Sequence, residues 1–568
     1  MSVKRPMGTE TEYAVSSPGD PHAQPVRLSF EVVKAAADPA RAHIRWDYRQ
    51  EDPVNDMRGT RLDRAAARPD MLTDAPQLDI ANVIAPNGGR IYVDHAHPEY
   101  SAPETLDPFD AVAYDHAGDL LMRQAAGRAA TAAGRPVALH RNNVDGKGAS
   151  WGTHENYTMA RAVPFGHVAA LMTAHFVTRQ TWAGSGRVGL GERSESAGYQ
   201  LSQRADYIHS RIGLQTTFDR PIVNTRDEPH APADRRRLHV IVGDANRMDV
   251  PQALKLGTTS MLLWLLEHAD EAGVDLAGLL ARLALADPVD AMHTVSHDLT
   301  LAAPLAVEDG ASVTAWQTQV LLRAAVYQAG AAIHGTDTRG EPLWPDRPTR
   351  NIMAMWGQAL ADVAAVRHAS DDERLTMAGP ASRLEWLLKW QLLERLRRKT
   401  GCGWDDARLR ALDLRWAALD PAASVFDRVA GHAERLTDAA ALAHAAAEPP
   451  EDTRAWLRAK AVRRWPEAIV AASWTHLTVR VHPADAEAPA GSGLADVYGN
   501  ASRAASRPGD LFTLAMAEPD SYGKDACEAA APGIGAALDA DPAAPGARTP
   551  ADWLAAIASG TRRTTVES

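Results

Sequence analysis

The stretch GGRIYVDHAHPEYSAPE, residues 88–104, limits the fold of this chain more than any other. From Arg90 to Asp94 the residues alternate as a strand does, so Ile91 and Val93 share one face while Tyr92 and Asp94 share the other. The second face is chemical. Aspartate is disfavoured inside strands, and this one is followed by two histidines, a proline expected to end the strand, and Glu99. A break in local rules of this kind marks a functional site more often than a structural one.

The same alternation recurs upstream and downstream. In GTETEYAVSS, Glu10 and Glu12 fall on one face of a strand, opposite Thr9, Thr11 and Tyr13. In RRRLHVIVGDAN, residues 235–246, Leu238, Val240 and Val242 oppose His239 and Ile241. RPVALHRNNVD reads as a strand leading into the glycine-flanked polar cluster GKGASWGTHENY. Asp107-Pro108 supplies a cap and first-turn proline for a helix through FDAVAYDHAGDLLMRQAAGRAA. Beyond about residue 250 helical patterns dominate, as in ASRLEWLLKWQLLERLRRKTG, with a basic last turn and Gly401 as C-cap. Strands and turns first, helices afterwards, predict an α+β fold.

A length of 568 residues allows a large core and several domains. The expected division is a catalytic domain over 1–425, a small C-terminal domain over 426–484, and an Ala/Pro/Gly-rich tail over 485–568 with little that could pack, apart from a short helix around PADWLAAIASG. Within the first domain, residues 41–87 read as a long insertion loop of mixed charge near the site. Acidic residues outnumber basic ones, 72 to 60, for a net charge of -12, which argues against non-specific nucleic-acid binding. Two distant cysteines exclude a disulfide framework and a cysteine zinc site. The N-terminus carries no apolar run and Met261–Leu266 is too short to span a bilayer, so a cytoplasmic protein without membrane contact is expected.

Carboxylates from several strands are what a hard cation such as Mg²⁺ requires, and such ions commonly bring nucleotide phosphates with them. Arginines on the same surface would complete a phosphate site. Because no G-x-x-x-x-G-K-[ST] sequence occurs, an ATP site here must be of another kind. The residues alone go no further than a metal–nucleotide enzyme.

Six segments, MGTETEYAVSSPGDP, GGRIYVDHAHPEYSAPE, NNVDGKGASWGTHENY, LSQRADYI, VNTRDEPHAPADRRRLHVIVGDAN and KLGTT, resemble in this order the family that contains the ligase and the deamidase/depupylase of Pup, the prokaryotic ubiquitin-like protein of actinobacteria. The resemblance extends over roughly residues 5–480. It implies a glutamine-synthetase-like fold: a curved antiparallel sheet cradling ATP and Mg²⁺, packed helices, and a small C-terminal domain. The ligase branch typically has D-V-G-S-H-P-E-Y and N-N-T-D-S-A-G-N-S-Y-G-C-H-E-N-Y where this chain has DHAHPEY and NNVDGKGASWGTHENY. With RWDYRQEDPVNDMRGTRLDR, which resembles the loop peculiar to the deamidase/depupylase, these departures imply the hydrolytic branch.

What that branch implies is ATP- and Mg²⁺-dependent deamidation of the C-terminal glutamine of Pup and cleavage of the Pup–lysine isopeptide. Pup, pupylated proteins and the proteasomal ATPase pathway would be its partners. The alternatives are a ligase working through a γ-glutamyl phosphate, or a catalytically silent Pup-binding paralogue. By motif, metal ligands fall on Glu10, Tyr92 and Glu99, with His154 and Glu155 at a second metal position; Glu12 is left without a firm role. Nucleotide contacts fall on Arg90, Arg204, Arg226, His239 and Trp474, with Ala102 standing where the ligase has threonine. Asp94 matches the catalytic aspartate, as nucleophile or base toward the amide.

Overall fold

The computed structural model describes residues 2–63, 81–481, 510–541 and 548–567. Period-two alternation in the first half builds six antiparallel strands: β1 (Met7–Glu12), β3 (Asn82–Ile84), β4 (Arg90–Asp94), β5 (His97–Ser101), β6 (Thr153–Ala160) and β7 (Arg235–Val240). Their order across the sheet is β7-β6-β1-β5-β4-β3. Four further strands, β2 (Arg45–Trp46), β8 (Ile469–Ala472), β9 (His476–Arg480) and β10 (Leu511–Ala515), make a second sheet ordered β10-β9-β8-β2.

Pro98 does not end the strand. Asp94 pairs with His97 and Val93 with Pro98, so His95 and Ala96 form a tight hairpin turn and Pro98 lies inside the returning strand. His95 takes φ 51° there, as a two-residue hairpin turn demands.

Helices cover one face of the large sheet. Asp107 caps α1 (Pro108–Ala133) by accepting from the N–H groups of Phe109 and Asp110. The apolar run at Met261–Leu266 lies in α2 (Asp249–His268), nearly all of it buried. The basic-ended pattern forms α3 (Glu385–Thr400), closed by Gly401 at φ 66°. Beneath β1, the face opposite the glutamates is a buried polar layer: Thr9 Oγ1 donates to Asp115 at 2.7 Å and Tyr13 Oη to Asp119 at 2.8 Å. Arg141, fully buried, pairs with both aspartates. These bonds leave Glu10 and Glu12 only the open face.

Two expectations for the outer segments are corrected. The 41–87 insertion is not one loop: Arg45–Trp46 pairs in parallel with β8 of the second sheet, and Asn82–Ile84 is the edge strand of the first. Residues 64–80 lie outside the described residues. Nor does the region after 485 lack a core. The strand β10 and the helices Lys524–Ala530, Ile534–Asp539 and Pro550–Glu567 pack Leu514, Cys527, Ile534, Leu554 and Ile557 against Leu457, Leu477 and Val479 of the C-terminal module. Alanine-rich helices pack closely enough that a few large apolar residues suffice. Residues 482–509 and 542–547 of that expectation lie outside the described residues.

This module is latched to the large sheet by α4 (Arg454–Arg464). Arg454 and Arg458, both buried, converge on Glu104, and Arg458 Nε donates to the carbonyl of Gly88 at 2.8 Å. Gly88 has φ 84°, and a Cβ there would sit 2.8 Å from the Ala455 carbonyl, so only glycine allows this approach. Burial opposes ionisation of Glu104, but the charges and hydrogen bonds of Arg458 and Arg454 outweigh it and hold the carboxyl at about 2. A folded value below the unfolded one means the contribution is complete above roughly pH 4.5 and disappears as pH falls toward 2. Glu104→Gln, which strands a buried guanidinium, is expected to cost about 3–5 kcal/mol at neutral pH. Hydrogen exchange over 453–480 checks this: protection there falls in the variant at pH 7 and in the parent only in acid.

Candidate functional site: a carboxylate cradle beside a cleft

Strand register writes the site. Glu12 lies across from Glu99, which lies across from Tyr92. One step along, His154, Glu10, Ser101 and Arg90 form the next row. Alternation places all of these side chains on the open face.

Two groups result. Oxygens of Glu12, Asp94 and Glu99 lie within 4.8 Å of one another, as do donor atoms of Glu10, His154 and His239. In the first group Glu99 is 1% exposed and its Oε1 has no hydrogen-bond partner. Burial, then the charges of Asp94, Glu12 and Glu10, push its pKa well above the usual carboxylate range. An orphaned buried carboxylate oxygen ringed by carboxylates fits a hard divalent cation such as Mg²⁺, whose charge would relieve that repulsion. Glu12 differs: burial works against its charge, but His97, 3.4 Å away, together with His154 and Arg204 brings it down to about 2.

In the second group, Asn156 sets the tautomers. Its Nδ2 donates to Glu10 and its Oδ1 accepts from Arg237 at 3.1 Å and from His239 Nδ1 at 2.9 Å. His239 therefore carries its proton on Nδ1 and presents the Nε2 lone pair. His154 Nδ1 lies 3.0 Å from Glu10 and donates to it, which frees its own Nε2. Burial, with the charge of Arg237, drives His239 well below its ordinary pKa and keeps it neutral.

A cleft of about 530 Å³ open to solvent runs from Glu10 between the sheet and the C-terminal module. Gly8, Ala102 and Trp474 are among its lining residues, and its charged and imidazole groups are Glu10, Glu104, Arg237, Arg454 and His230. A slot with apolar and small residues beside Arg237 and the carboxylate Glu10 fits a heteroaromatic base together with phosphates carried by a cation.

Asp94 stands at the hairpin tip, its side chain 36% exposed and 3.0 Å from His95 Nδ1. Among the remaining expected residues, Arg204 is buried and donates to the Trp151 carbonyl beside Arg220, which holds the Ser150 carbonyl at 2.8 Å. Burial and its neighbour Arg220 lower Arg204 to about 9, and among the described residues both arginines hold backbone carbonyls rather than an ion-pair partner. Arg226 Nε lies 3.8 Å from Glu228. Arg90 is engaged: Trp46, Tyr48 and Tyr92 surround its guanidinium at 4.3, 5.3 and 4.0 Å, and Asn82 accepts from its Nε at 2.8 Å. It joins the 45–51 segment to the sheet, and Trp46 in turn meets Trp474 edge-on at 5.1 Å.

Glu155 is corrected. Neighbours in a strand point to opposite faces, so with His154 on the open side Glu155 points into the core, fully buried, paired with Arg179 and accepting from Tyr157 Oη at 2.7 Å. Conversely, Glu12, which the motifs left without a firm role, belongs to the first group, and His97, Asn156 and Arg237 belong to the site although the motifs did not nominate them. Each is two residues from a nominated one, so alternation would have found them. Arg220 had no such signal.

The model of the Pup-ligase protein family matches residues 5–478. The Pup deamidase/depupylase of Mycolicibacterium smegmatis is 44% identical over 480 residues, covering 83% of this chain and 91% of that protein. The Pup–protein ligase of Micrococcus luteus is 37% identical over 419 residues, 71% of this chain and 84% of that protein. The structure of the Pup ligase PafA of the prokaryotic ubiquitin-like modification pathway, in complex with ADP, superposes with TM-score 0.63 at 27% identity over 78% of this chain and 87% of that one. The fold is thus the glutamine-synthetase-like α+β cradle with a C-terminal module, and with a family match spanning most of its length, this chain belongs to the Pup-ligase protein family.

Proposed function

We propose that this protein is an ATP- and Mg²⁺-dependent hydrolase that deamidates the C-terminal glutamine of Pup and cleaves the isopeptide joining Pup to lysine. The observation that carries this reading is the higher identity and fuller coverage with the deamidase/depupylase relative than with the ligase relative. Pup and pupylated proteins are its substrates, in the proteasomal branch of protein turnover.

Glu12, Glu99 and Tyr92 would hold one Mg²⁺, and Glu10, with the free Nε2 atoms of His154 and His239, a second position. When bound, Mg²⁺ supplies positive charge beside the reacting carbonyl and ATP supplies phosphate oxygens as further ligands. Trp474 and Ala102 flank the base, while Arg237, Arg226 and His239 face the phosphates. Arg90 positions the 45–51 segment over that end. Asp94 acts on the amide carbonyl, by attack of its own carboxylate or by taking a proton from an attacking water. In the first route the carboxylate displaces ammonia or the lysine amine to give a mixed anhydride that water opens; ¹⁸O found in Asp94 after turnover in H₂¹⁸O, from opening at the Asp94 carbonyl, establishes that route. Arg204 and Arg220, neither in an ion pair among the described residues, receive the negative charge that develops on the carbonyl oxygen.

Incubation with Pup ending in glutamine, Pup ending in glutamate and a pupylated protein, with and without Mg·ATP, tests the reading. Ammonia release from the first and free Pup from the third are expected. Conjugates formed from the glutamate form, with no hydrolysis of the other two, would make the protein a ligase.

A further inference from the structure

We propose that residues 516–520 form one wall of the nucleotide cleft, and that the helices after residue 523 hold that wall. The family match ends at residue 478, so the segment lies beyond it. The inference rests on the nucleotide reading of the cleft.

Strand pairing delivers the wall. β10 pairs with β9 from Arg480↔Leu511 to His476↔Ala515. That register brings Met516 to the strand end, where its N–H donates to the Thr475 carbonyl at 2.6 Å, next to Trp474. The chain then runs past Arg454, and Pro519 reaches the cleft lining. Arg454 Nη1 donates to the carbonyls of Met516 at 2.9 Å and Ala517 at 3.0 Å, and the Arg454 N–H to that of Pro519 at 2.8 Å. On the far side Lys524 N–H donates to the Glu451 carbonyl at 2.7 Å, and Gly523 lies so close that a Cβ would be 2.6 Å from that same oxygen. Pro519 is thus stitched on both sides, and it lines the cleft together with Gly8, Ala102 and Trp474.

The chemistry suits a purine more than an anion. Pro519 contributes a rigid apolar surface without an N–H, bounding a slot that also holds the Trp474 indole and two side chains too small to obstruct a flat ring. Arg454, which would otherwise offer a charge to the slot, spends its Nη1 on the carbonyls of the wall and of His230 and its Nε on Glu104. The wall is rigid because the extension has its own core: Cys527, Ile534, Leu554 and Ile557 are fully buried. Without those helices β10 would be an unsupported edge.

Calorimetric titration of the full chain with Mg·ATP tests this without reference to turnover. Pro519→Glu is expected to weaken ATP binding about tenfold or more, because it forces a carboxylate against the base, with the melting temperature of the ATP-free protein unchanged. Pro519→Gly, which removes the ring and adds no charge, decides the matter if the glutamate variant melts early; it is expected to weaken binding about threefold, a loss of apolar contact alone. Lys524→Ala, which breaks only the exposed pair with Glu451, serves as control and binds as the parent does. Parental affinity in both Pro519 variants overturns the inference and leaves the nucleotide reading intact. Failure of the parent to bind ATP overturns both.

Discussion

Asp94→Asn is expected to lower the rate of Pup deamidation and depupylation by about 10²–10⁴-fold, the usual worth of a positioned acid–base or nucleophilic group, while ATP affinity stays at the parental value. The separation follows from geometry. Asp94 stands at the tip of the hairpin, partly exposed, whereas the cleft lies at the other end of the cradle, along Glu10, Ala102 and Trp474. Asparagine preserves the size of the side chain but can neither attack a carbonyl nor accept a proton. A single-turnover assay with pupylated substrate, paired with ATP titration of the same variant, checks both halves. Full depupylation by Asp94→Asn would remove this residue from the chemistry.

Glu99→Gln is expected to abolish Mg²⁺-dependent activity, a loss on the order of 10³-fold or more given how much charge stabilisation a bound cation supplies. The same variant should be more stable than the parent in EDTA. Glu99 is a carboxyl whose burial and acidic neighbours raise its pKa, so in the absence of a cation its ionisation destabilises the fold. The folded state then binds more protons than the unfolded one, and stability falls as pH rises from about 4.5 toward the elevated folded value. Glutamine cannot ionise and escapes that penalty. Melting in EDTA at pH 8 checks the sign: the variant melts above the parent, and added Mg²⁺ reverses the order by stabilising the parent alone. A variant that melts below the parent in EDTA would show that Glu99 is satisfied without a cation.

Much of the site was legible because strands alternate. That rule put Glu10 with Glu12 and Tyr92 with Asp94, and on each strand the open face is the one expected. The same rule, carried further, separates Glu155 from His154, since adjacent strand residues cannot share a face; reading GTHENY as a polar cluster obscured this. It also contains Asn156, Arg237 and His97. Arg90 shows the opposite limit: its face was predictable, but not its enclosure by Trp46, Tyr48 and Tyr92, because two of those rings come from a segment some forty residues away in sequence. The region after 485 was misread for a compositional reason. Alanine, glycine and proline are common in mobile chain, yet alanine is also the best helix former, and only the presence of Leu457, Leu477 and Val479 to pack against selects the helical outcome.

The sequence by itself determined which side chains share a strand face, where α1 begins and where α3 ends, and, through six motif segments, the family and its implied chemistry. Those properties are local: alternation, capping and motif identity depend on residues a few positions apart. Only the tertiary structure decided which strands lie side by side, and therefore that Glu12, Asp94 and Glu99 meet, that Glu104 holds Arg454 and Arg458, and that Pro519 and Ala102 line one cleft. Register between strands distant in the chain is chosen by the burial of whole faces at once, and no short stretch of sequence carries that information.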